Sequence, residues 1–246
     1  MKQFIFVYAI GCYGLFGIVF VWFAAFLLNV GDIRGPAQSP PAIAILVNLT
    51  LIAAFGMAHS VMARPAFKRI WIRIIPPAAE RATYVLQSSF FLALIFSCWQ
   101  PIPAVIWDIS GPAAWIVYGV FFLGAAIILT STFLLGHGEF VGLSQAWDNL
   151  RGVAEKQPQF RTPFLYRLVR HPLQFGLIVM MTATPVMTAG HLLFVTAMTL
   201  YITIGLRLEE RALLREFGSD YEDYRRDVPM LIPHPFRRAR RRATAE

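Results

Sequence analysis

Residues 170–210 read RHPLQFGLIVMMTATPVMTAGHLLFVTAMTLYITIGLRLEE. Between Pro172 and Leu206 lie 35 residues without one Asp, Glu, Lys or Arg. One bilayer crossing takes roughly 20 apolar residues, so this run is too long for a single span. Its middle carries Pro185 and then Thr188-Ala189-Gly190, residues that break helices and form turns. The pattern predicts a helical hairpin, from His171 to about Met187 and back from His191 to Leu206. From Ala189 there are 18 residues back to His171 and 20 forward to Glu209. At ~1.5 Å per residue the two arms differ by only about 3 Å. The hairpin therefore returns Arg170 and His171 to the membrane face that holds Glu209 and Glu210.

The rest of the chain has the same character. It is 57% hydrophobic and 15% charged, with a mean hydropathy of +0.57, whereas a soluble domain carries about a quarter charged residues. Four more uncharged blocks, 3–31, 35–63, 82–107 and 109–138, each hold one helix of about 20 apolar residues. The fold class expected is all-α: a polytopic membrane bundle of four spans plus the hairpin. The spans are predicted from about Phe4 to Leu28, Ala42 to Met62, Glu80-Arg81 to just before Pro101, and Ala113 to Leu135. The first block is too long, and lacks the small-residue cleavage site, for a secretory signal.

Charge orients the bundle. Loop 64–81 has Arg64, Lys68, Arg69, Arg73 and Arg81 against Glu80. Loop 139–170 has Arg151, Lys156, Arg161, Arg167 and Arg170 against three acids. The intervening connections hold only Asp32 with Arg34, and Asp108. By the positive-inside rule the basic loops are cytoplasmic, and both termini join them. The net charge of +8 sits in these loops and in the tail Arg237-Arg238-Ala239-Arg240-Arg241-Arg242, beside anionic lipid headgroups. No soluble basic groove with aromatic platforms is indicated, so no nucleic-acid partner is expected. Cys12 and Cys98 lie in apolar segments and read as small buried hydrophobes, with neither disulfide nor metal spacing. The organisation expected is residues 1–135 as four transmembrane helices, 136–233 as a core with the hairpin and a small cytoplasmic cap, and 234–246 as a basic tail. Phe140, Trp147, Phe160 and Tyr166 read as buried aromatics of that cap.

Chemistry concentrates where the hairpin opens. Pro172 suits a first helical position, and a helix N-terminus favours a carboxylate or phosphate. Arg170 adds a charged, bidentate donor, and Gly176, one turn on, permits close approach of a ligand or helix. Glu209 and Glu210 offer acceptors for ammonium or ribose hydroxyl groups. A ligand with a carboxylate, an amine and a ribose matches this polarity, and S-adenosylmethionine (SAM) is such a ligand. Taken singly, Arg170 reads equally as a snorkelling side chain, His171 as an N-cap, and each Glu as a helix end at the interface. Four together at one depth favour a site.

These residues carry a resemblance. Arg170-His171-Pro172-Leu173-Gln174-Phe175-Gly176, then Glu209-Glu210, then Phe217-Gly218 with Tyr221 and Tyr224, and Val228-Pro229 with Ile232-Pro233, resemble the isoprenylcysteine carboxyl methyltransferase superfamily of membrane enzymes. Gln174 departs from the pattern, which has Tyr there. Within the superfamily the chain is most similar to the bacterial methanethiol S-methyltransferases. The supporting stretches are His59-Ser60-Val61-Met62-Ala63-Arg64-Pro65; Pro77 with Glu80-Arg81 and Tyr84-Val85-Leu86; Gly142-Leu143 with Gln145 and Trp147; Thr162-Pro163 with Tyr166; and Pro185 with Met187-Thr188 and Gly190-His191. The resemblance implies methyl transfer from SAM to a small thiol, methanethiol, giving dimethyl sulfide and S-adenosylhomocysteine at a bacterial inner membrane. It implies a cofactor-binding set of Gln145, Tyr166, Arg170, His171, Pro172, Leu173, Gly176, Glu209, Glu210 and Tyr221, and no metal.

The nucleophile in such a transfer is the thiolate, so an acceptor for the thiol proton is needed. His59 on the second span, with Glu80, Arg81 and Tyr84 at the start of the third, are the expected acceptor-side catalytic residues, because polar groups inside spans are functional candidates. A helix-to-helix hydrogen bond is the other role open to His59. His191, at the hairpin turn, is expected to be structural. Three alternatives stay open: another thiol or a lipid-linked carboxylate as acceptor, which needs a lateral opening between helices; haem held by two of His59, His137, His171 and His191; and a non-catalytic membrane protein of the same fold.

Overall fold

A computed structural model describes residues 1–154 and 160–233. The Arg-rich tail, and Lys156 in the last basic loop, lie outside the described residues. The helices are α1 (Lys2–Leu28), α2 (Pro41–Met62), α3 (Pro65–Trp71), α4 (Pro77–Cys98), α5 (Pro112–Leu135), α6 (His137–Val141), α7 (Leu143–Arg151), α8 (Pro172–Thr182), α9 (Ala189–Phe217) and α10 (Ser219–Asp227). Two short strands, β1 (Val105–Asp108) and β2 (Val186–Thr188), pair antiparallel. Among the described residues five helices, α1, α2, α4, α5 and α9, are long and apolar enough to cross a bilayer. The protein is a polytopic α-helical membrane protein. Five helices (α2, α3, α4, α5 and α8) begin on a proline, whose fixed φ suits the first turn and whose missing N–H costs nothing there.

Side-chain pairs fix the directions. Tyr8 near the start of α1 bonds Thr83 near the start of α4, and Phe26 near the end of α1 stacks on Phe96 near the end of α4, so these two run parallel. Helix α2 runs against them: Asn48 in its first half exchanges bonds with the backbone of Gln100, while His59 near its end meets Tyr84. One face therefore collects the starts of α1, α4 and α8 and the ends of α2, α5 and α9, with loop 64–81 and the described part of loop 139–170. The sheet closes the opposite face. Phe4, Val7, Ile18, Trp115, Ile116, Phe122 and Leu200 are exposed around the bundle, as lipid contact demands. Inside, Phe23, Phe26, Ile95, Phe96, Phe121, Met180, Met181, Phe194 and Met198 form one core from both halves of the chain.

The hairpin departs from its expected form. Its first arm is helical for only 11 residues and then passes through Thr184 and Pro185 into β2. Val105 pairs with Thr188, Trp107 with Met187 and Asp108 with Val186, and Trp107 Nε1 donates to Thr184 O at 3.0 Å. Pairing with β1 satisfies backbone groups that a proline-broken helix leaves open. Thr188 then caps α9, accepting from His191 N–H at 3.2 Å. His191 is buried and bonds Met181 O at 2.9 Å, consistent with the structural role expected.

Helices α5 and α8 touch through glycines. A Cβ on Gly176 would lie 2.8 Å from Gly124 O, and one on Gly124 would lie 2.7 Å from Met180 N. Small residues at a membrane helix crossing allow backbones this close. Two further expectations are corrected. Cys98 is exposed at the end of α4. Trp147 is also largely exposed and packs its ring on Phe6 of α1, centroids 5.2 Å apart, because α7 is amphipathic and lies along the outside of α1.

Candidate active site

The residues singled out around the hairpin mouth come together in two clusters. In the first, the segment before α8 runs beside the C-terminal stretch: Arg170 N–H donates to Pro229 O at 2.9 Å and His171 N–H to Met230 O at 3.2 Å. These bonds hold Arg170 so that Nε reaches Glu210 Oε1 at 2.6 Å, while Nη1 donates to Arg225 O at 2.9 Å and to Val228 O. His171 Nε2 lies 3.2 Å from the same carboxylate oxygen. The Arg170 and Glu210 side chains are only 9% and 10% exposed, so the pair is desolvated and intolerant of losing one member. Arg170 thus clamps three segments together and has three N–H bonds committed within the protein.

Phenols surround this clamp. Tyr224 Oη donates to Tyr166 O, and Phe160 packs its ring against Phe217, Tyr221 and Tyr224. Burial, and then the Glu209 charge, pushes the Tyr166 phenol up to about 12. Burial first, then Glu210, raises Tyr221; burial first, then Tyr221, raises Tyr224. All three stay neutral donors at physiological pH. Tyr221 Oη is buried without a hydrogen-bond partner among the described residues, and so is Gln145 Oε1, whose amide nitrogen donates to Glu139 O at 3.2 Å.

The second cluster joins α2 and α4. Tyr84 Oη lies 2.6 Å from His59 Nε2, and Ser88 Oγ lies 2.9 Å from His59 Nδ1. Arg81 sits over the Tyr84 ring, Cζ 5.2 Å from its centroid, and donates Nε–H to Phe140 O at 2.8 Å. That bond depends on Gly142 (φ +90°), where a Cβ would meet Ala82 N at 2.6 Å. Only a residue without a side chain lets α6 and α7 seat against α4. Glu209 links the clusters. It is exposed, forms no ion pair among the described residues, and lies within electrostatic reach of His171, Glu210 and Arg81.

Not every expected residue belongs to this arrangement. Glu80 makes no hydrogen bond to the second cluster: its carboxylate pairs with Lys68, 3.4 Å away, and reaches Tyr84 only through its charge. Pro172 is buried and Leu173 packs on the core. Gly176 turns toward α5, because its missing side chain is what lets α8 reach Gly124. Just before α8 the N–H groups of Arg170 and His171 are taken by Pro229 O and Met230 O, and Pro172 has none, so the anion site expected there rests on the N–H groups of Leu173 and Gln174. Reading the sequence assigned no role to Ser88, Tyr201 or Ser60. Ser88 stands four residues after Tyr84, the spacing of one helical face, and that signal was available. Tyr201 stacks edge-on to His59 across α9, centroids 6.4 Å apart, and its hydroxyl is 3.4 Å from Ser60 Oγ.

Comparison with known proteins decides the family. Methanethiol S-methyltransferase 2 of Bradyrhizobium diazoefficiens is 48% identical over 241 residues, covering 96% of this chain and 92% of that protein. The methanethiol S-methyltransferase of Mycobacterium tuberculosis is 44% identical over 245 residues, covering 96% and 99%. The chain belongs to the methanethiol S-methyltransferase family. A Nurim homolog of Drosophila pseudoobscura pseudoobscura is also similar, 28% identical over 176 residues, or 68% of this chain and 69% of that protein. No protein-family model and no solved structure matches the chain.

As a member of a methyltransferase family, the enzyme needs a methyl donor and an acceptor brought together, and its two clusters meet at Glu209. Placement disfavours the haem alternative: both ring nitrogens of His59 are engaged, by Ser88 and Tyr84, and those of His137 by Thr132 and Tyr13. The remaining two, His171 before α8 and His191 in the first turn of α9, stand at opposite faces of the bundle. His171 and His191 each commit Nε2 to the protein. An apolar cavity of about 620 Å³ opens between α2 and α9, with Gly56, Ser60, Tyr201 and Gly205 on its walls.

Proposed function

We propose that the protein transfers the methyl group of SAM to the sulfur of methanethiol, giving dimethyl sulfide and S-adenosylhomocysteine, in a bacterial inner membrane with both termini cytoplasmic. The observation that carries the reading is Glu209: an exposed carboxylate between a clamp of cations and phenols and a histidine–tyrosine pair. The chemistry of the residues fits the donor. Glu209 can hold its ammonium or ribose hydroxyls. Tyr221 Oη and Gln145 Oε1 are buried polar atoms still open to a partner, and a buried polar group left so costs stability until it finds one. Arg170, His171 and Glu210 hold these groups in place. Pro172 and Leu173 anchor the start of α8, and Tyr166 ties the cap to α5 through Ser131 O at 3.4 Å.

Bound SAM would present an electrophilic methyl group on a sulfonium. The protein must then align the acceptor sulfur and take its proton. His59 and Tyr84 supply the acceptor, and Arg81 fixes the Tyr84 ring. Thiolate and sulfonium neutralise each other in the transition state, so a poorly solvated site does not oppose the transfer. Headspace detection of dimethyl sulfide from a non-producing host expressing the chain, with and without added methanethiol, tests the reading. Absence of the product from cells that contain the folded protein and methanethiol would sink it.

The cavity between α2 and α9 favours a second acceptor class, thiols with a longer apolar chain entering from the bilayer. Gly205 has nothing within 4 Å of where a Cβ would stand, so Gly205→Phe fills the cavity at little cost to the fold. Under this second reading, hexanethiol is methylated by the wild type and not by that variant. Methanethiol turnover alone, unchanged in both, supports the first.

A further inference from the structure

We infer that Ser88 is a positioning residue, which sets His59 in the one tautomer able to receive a proton from Tyr84. This deepens the proposed transfer and rests on it. Ser88 Oγ donates its single hydrogen to Tyr84 O, 2.8 Å away and four residues back in α4. A carbonyl oxygen can only accept, so that hydrogen is spent. Toward His59 Nδ1, at 2.9 Å, Ser88 can therefore only accept, and Nδ1 carries the ring proton. Nε2 is left with its lone pair, and Tyr84 Oη, at 2.6 Å, must be the donor to it. Each bond dictates the direction of the next.

The direction has a chemical use. When the thiol gives its proton to Tyr84 Oη, the proton already on that oxygen passes to His59 Nε2. The S–H bond breaks, the electron pair stays on sulfur, Tyr84 is neutral again, and His59 holds the positive charge with Nδ1–H still on Ser88. After methyl transfer His59 loses the proton to water, which balances the overall release of one proton. In the other tautomer Nε2 already bears hydrogen, the lone pair faces Ser88, and Tyr84 has nowhere to send its proton.

A second group of the same build serves as an internal control. Thr132 Oγ1 donates to Leu129 O at 2.8 Å and lies 2.9 Å from His137 Nδ1, while His137 Nε2 is 3.0 Å from Tyr13 Oη. It holds α5 and α6 to α1 and shares no residue with the first.

The test is ¹⁵N NMR of histidine-labelled full-length protein in detergent, with His59→Gln to assign the signal, beside rate measurements from pH 6 to 10. Wild type should show His59 protonated at Nδ1. Ser88→Ala should shift His59 toward the Nε2–H form and leave His137 unchanged. Ser88→Thr, which keeps the hydroxyl, should restore the wild-type signal. In parallel, Ser88→Ala should lower kcat tenfold or more near neutral pH without changing SAM affinity. The deficit should shrink as rising pH ionises the thiol without help, and Ser88→Thr should recover most of the rate. An unchanged His59 tautomer in Ser88→Ala, or a wild-type pH profile, overturns the inference. The tautomer is read without any acceptor, so failure of the wild type to methylate methanethiol would count against the proposed reaction and leave the assignment to the NMR result.

Discussion

Glu209 and Glu210 follow one another in α9 and take opposite roles. Glu210 spends one oxygen on both Arg170 and His171 and is almost wholly buried. Glu209, a third of a turn away, stands open among His171, Arg81 and Glu210. One is part of the frame and the other faces outward from it. Two adjacent carboxylates at an apolar helix end therefore differ in what their removal should do.

Arg170→Ala and Glu210→Gln should each destabilise the protein by about 3–5 kcal/mol, the range for breaking a buried ion pair. Glu209→Gln should leave the thermal midpoint in detergent nearly unchanged and weaken SAM binding by about 1.5–3 kcal/mol, the range for a charged hydrogen bond. Thermal unfolding and calorimetry separate the two. Equal loss of stability in all three variants would contradict the division.

Gly176→Leu should fail by overpacking. The new Cβ would stand 2.8 Å from Gly124 O, and forcing α5 from α8 should cost about 1–3 kcal/mol or more. Gly205→Ala, with nothing within 4 Å of its new Cβ, should be neutral or slightly stabilising. A stable Gly176→Leu variant that had lost only SAM binding would return Gly176 to the ligand site.

Changing the acceptor side should spare the donor side. His59→Ala and Tyr84→Phe should lower kcat with SAM affinity intact, the signature of an interaction made mainly in the transition state. Wild-type turnover in both would move the proton acceptor elsewhere.

Alkaline titration should show late phenols in the cap. The folded protein holds the protons of Tyr166, Tyr221 and Tyr224 more tightly than the unfolded chain does. Their contribution to stability is complete below the unfolded value of about 10. It is lost as pH rises through the folded value, about 12 for Tyr166. Of the eight tyrosines, at least these three should remain un-ionised at pH 11 by phenolate absorbance and ionise on unfolding. Ionisation of all eight near pH 10 in folded protein would contradict it.

The bundle was legible because a bilayer reads composition directly. α2 and α5 begin one residue from where the uncharged blocks put them, and the return of Arg170 to Glu210 follows from arm lengths alone. β1 was not legible. Val105-Ile106-Trp107-Asp108 lies in the connection beyond the span that fades by Pro101, and only a partner about 80 residues on makes it a strand. Gly176 stayed ambiguous for a related reason: a missing side chain says something comes close, and the sequence does not say whether it is a ligand or Gly124. His59 and Tyr84 were both named from the sequence, but their contact depends on α2 and α4 running antiparallel. Ser88 acquires its significance only from that contact.

Arg170 is satisfied by Glu210, Arg225 and Val228, and its backbone by Pro229. These partners leave the ribosome long after Arg170 does. During synthesis, α8 must enter the bilayer with a guanidinium still waiting at its mouth, held meanwhile by water and headgroups. The clamp consequently cannot close before Val228 is made, and a chain halted before it would be inserted yet unfinished. Such a chain would be exposed to quality-control proteases at the very residues that make the mature enzyme.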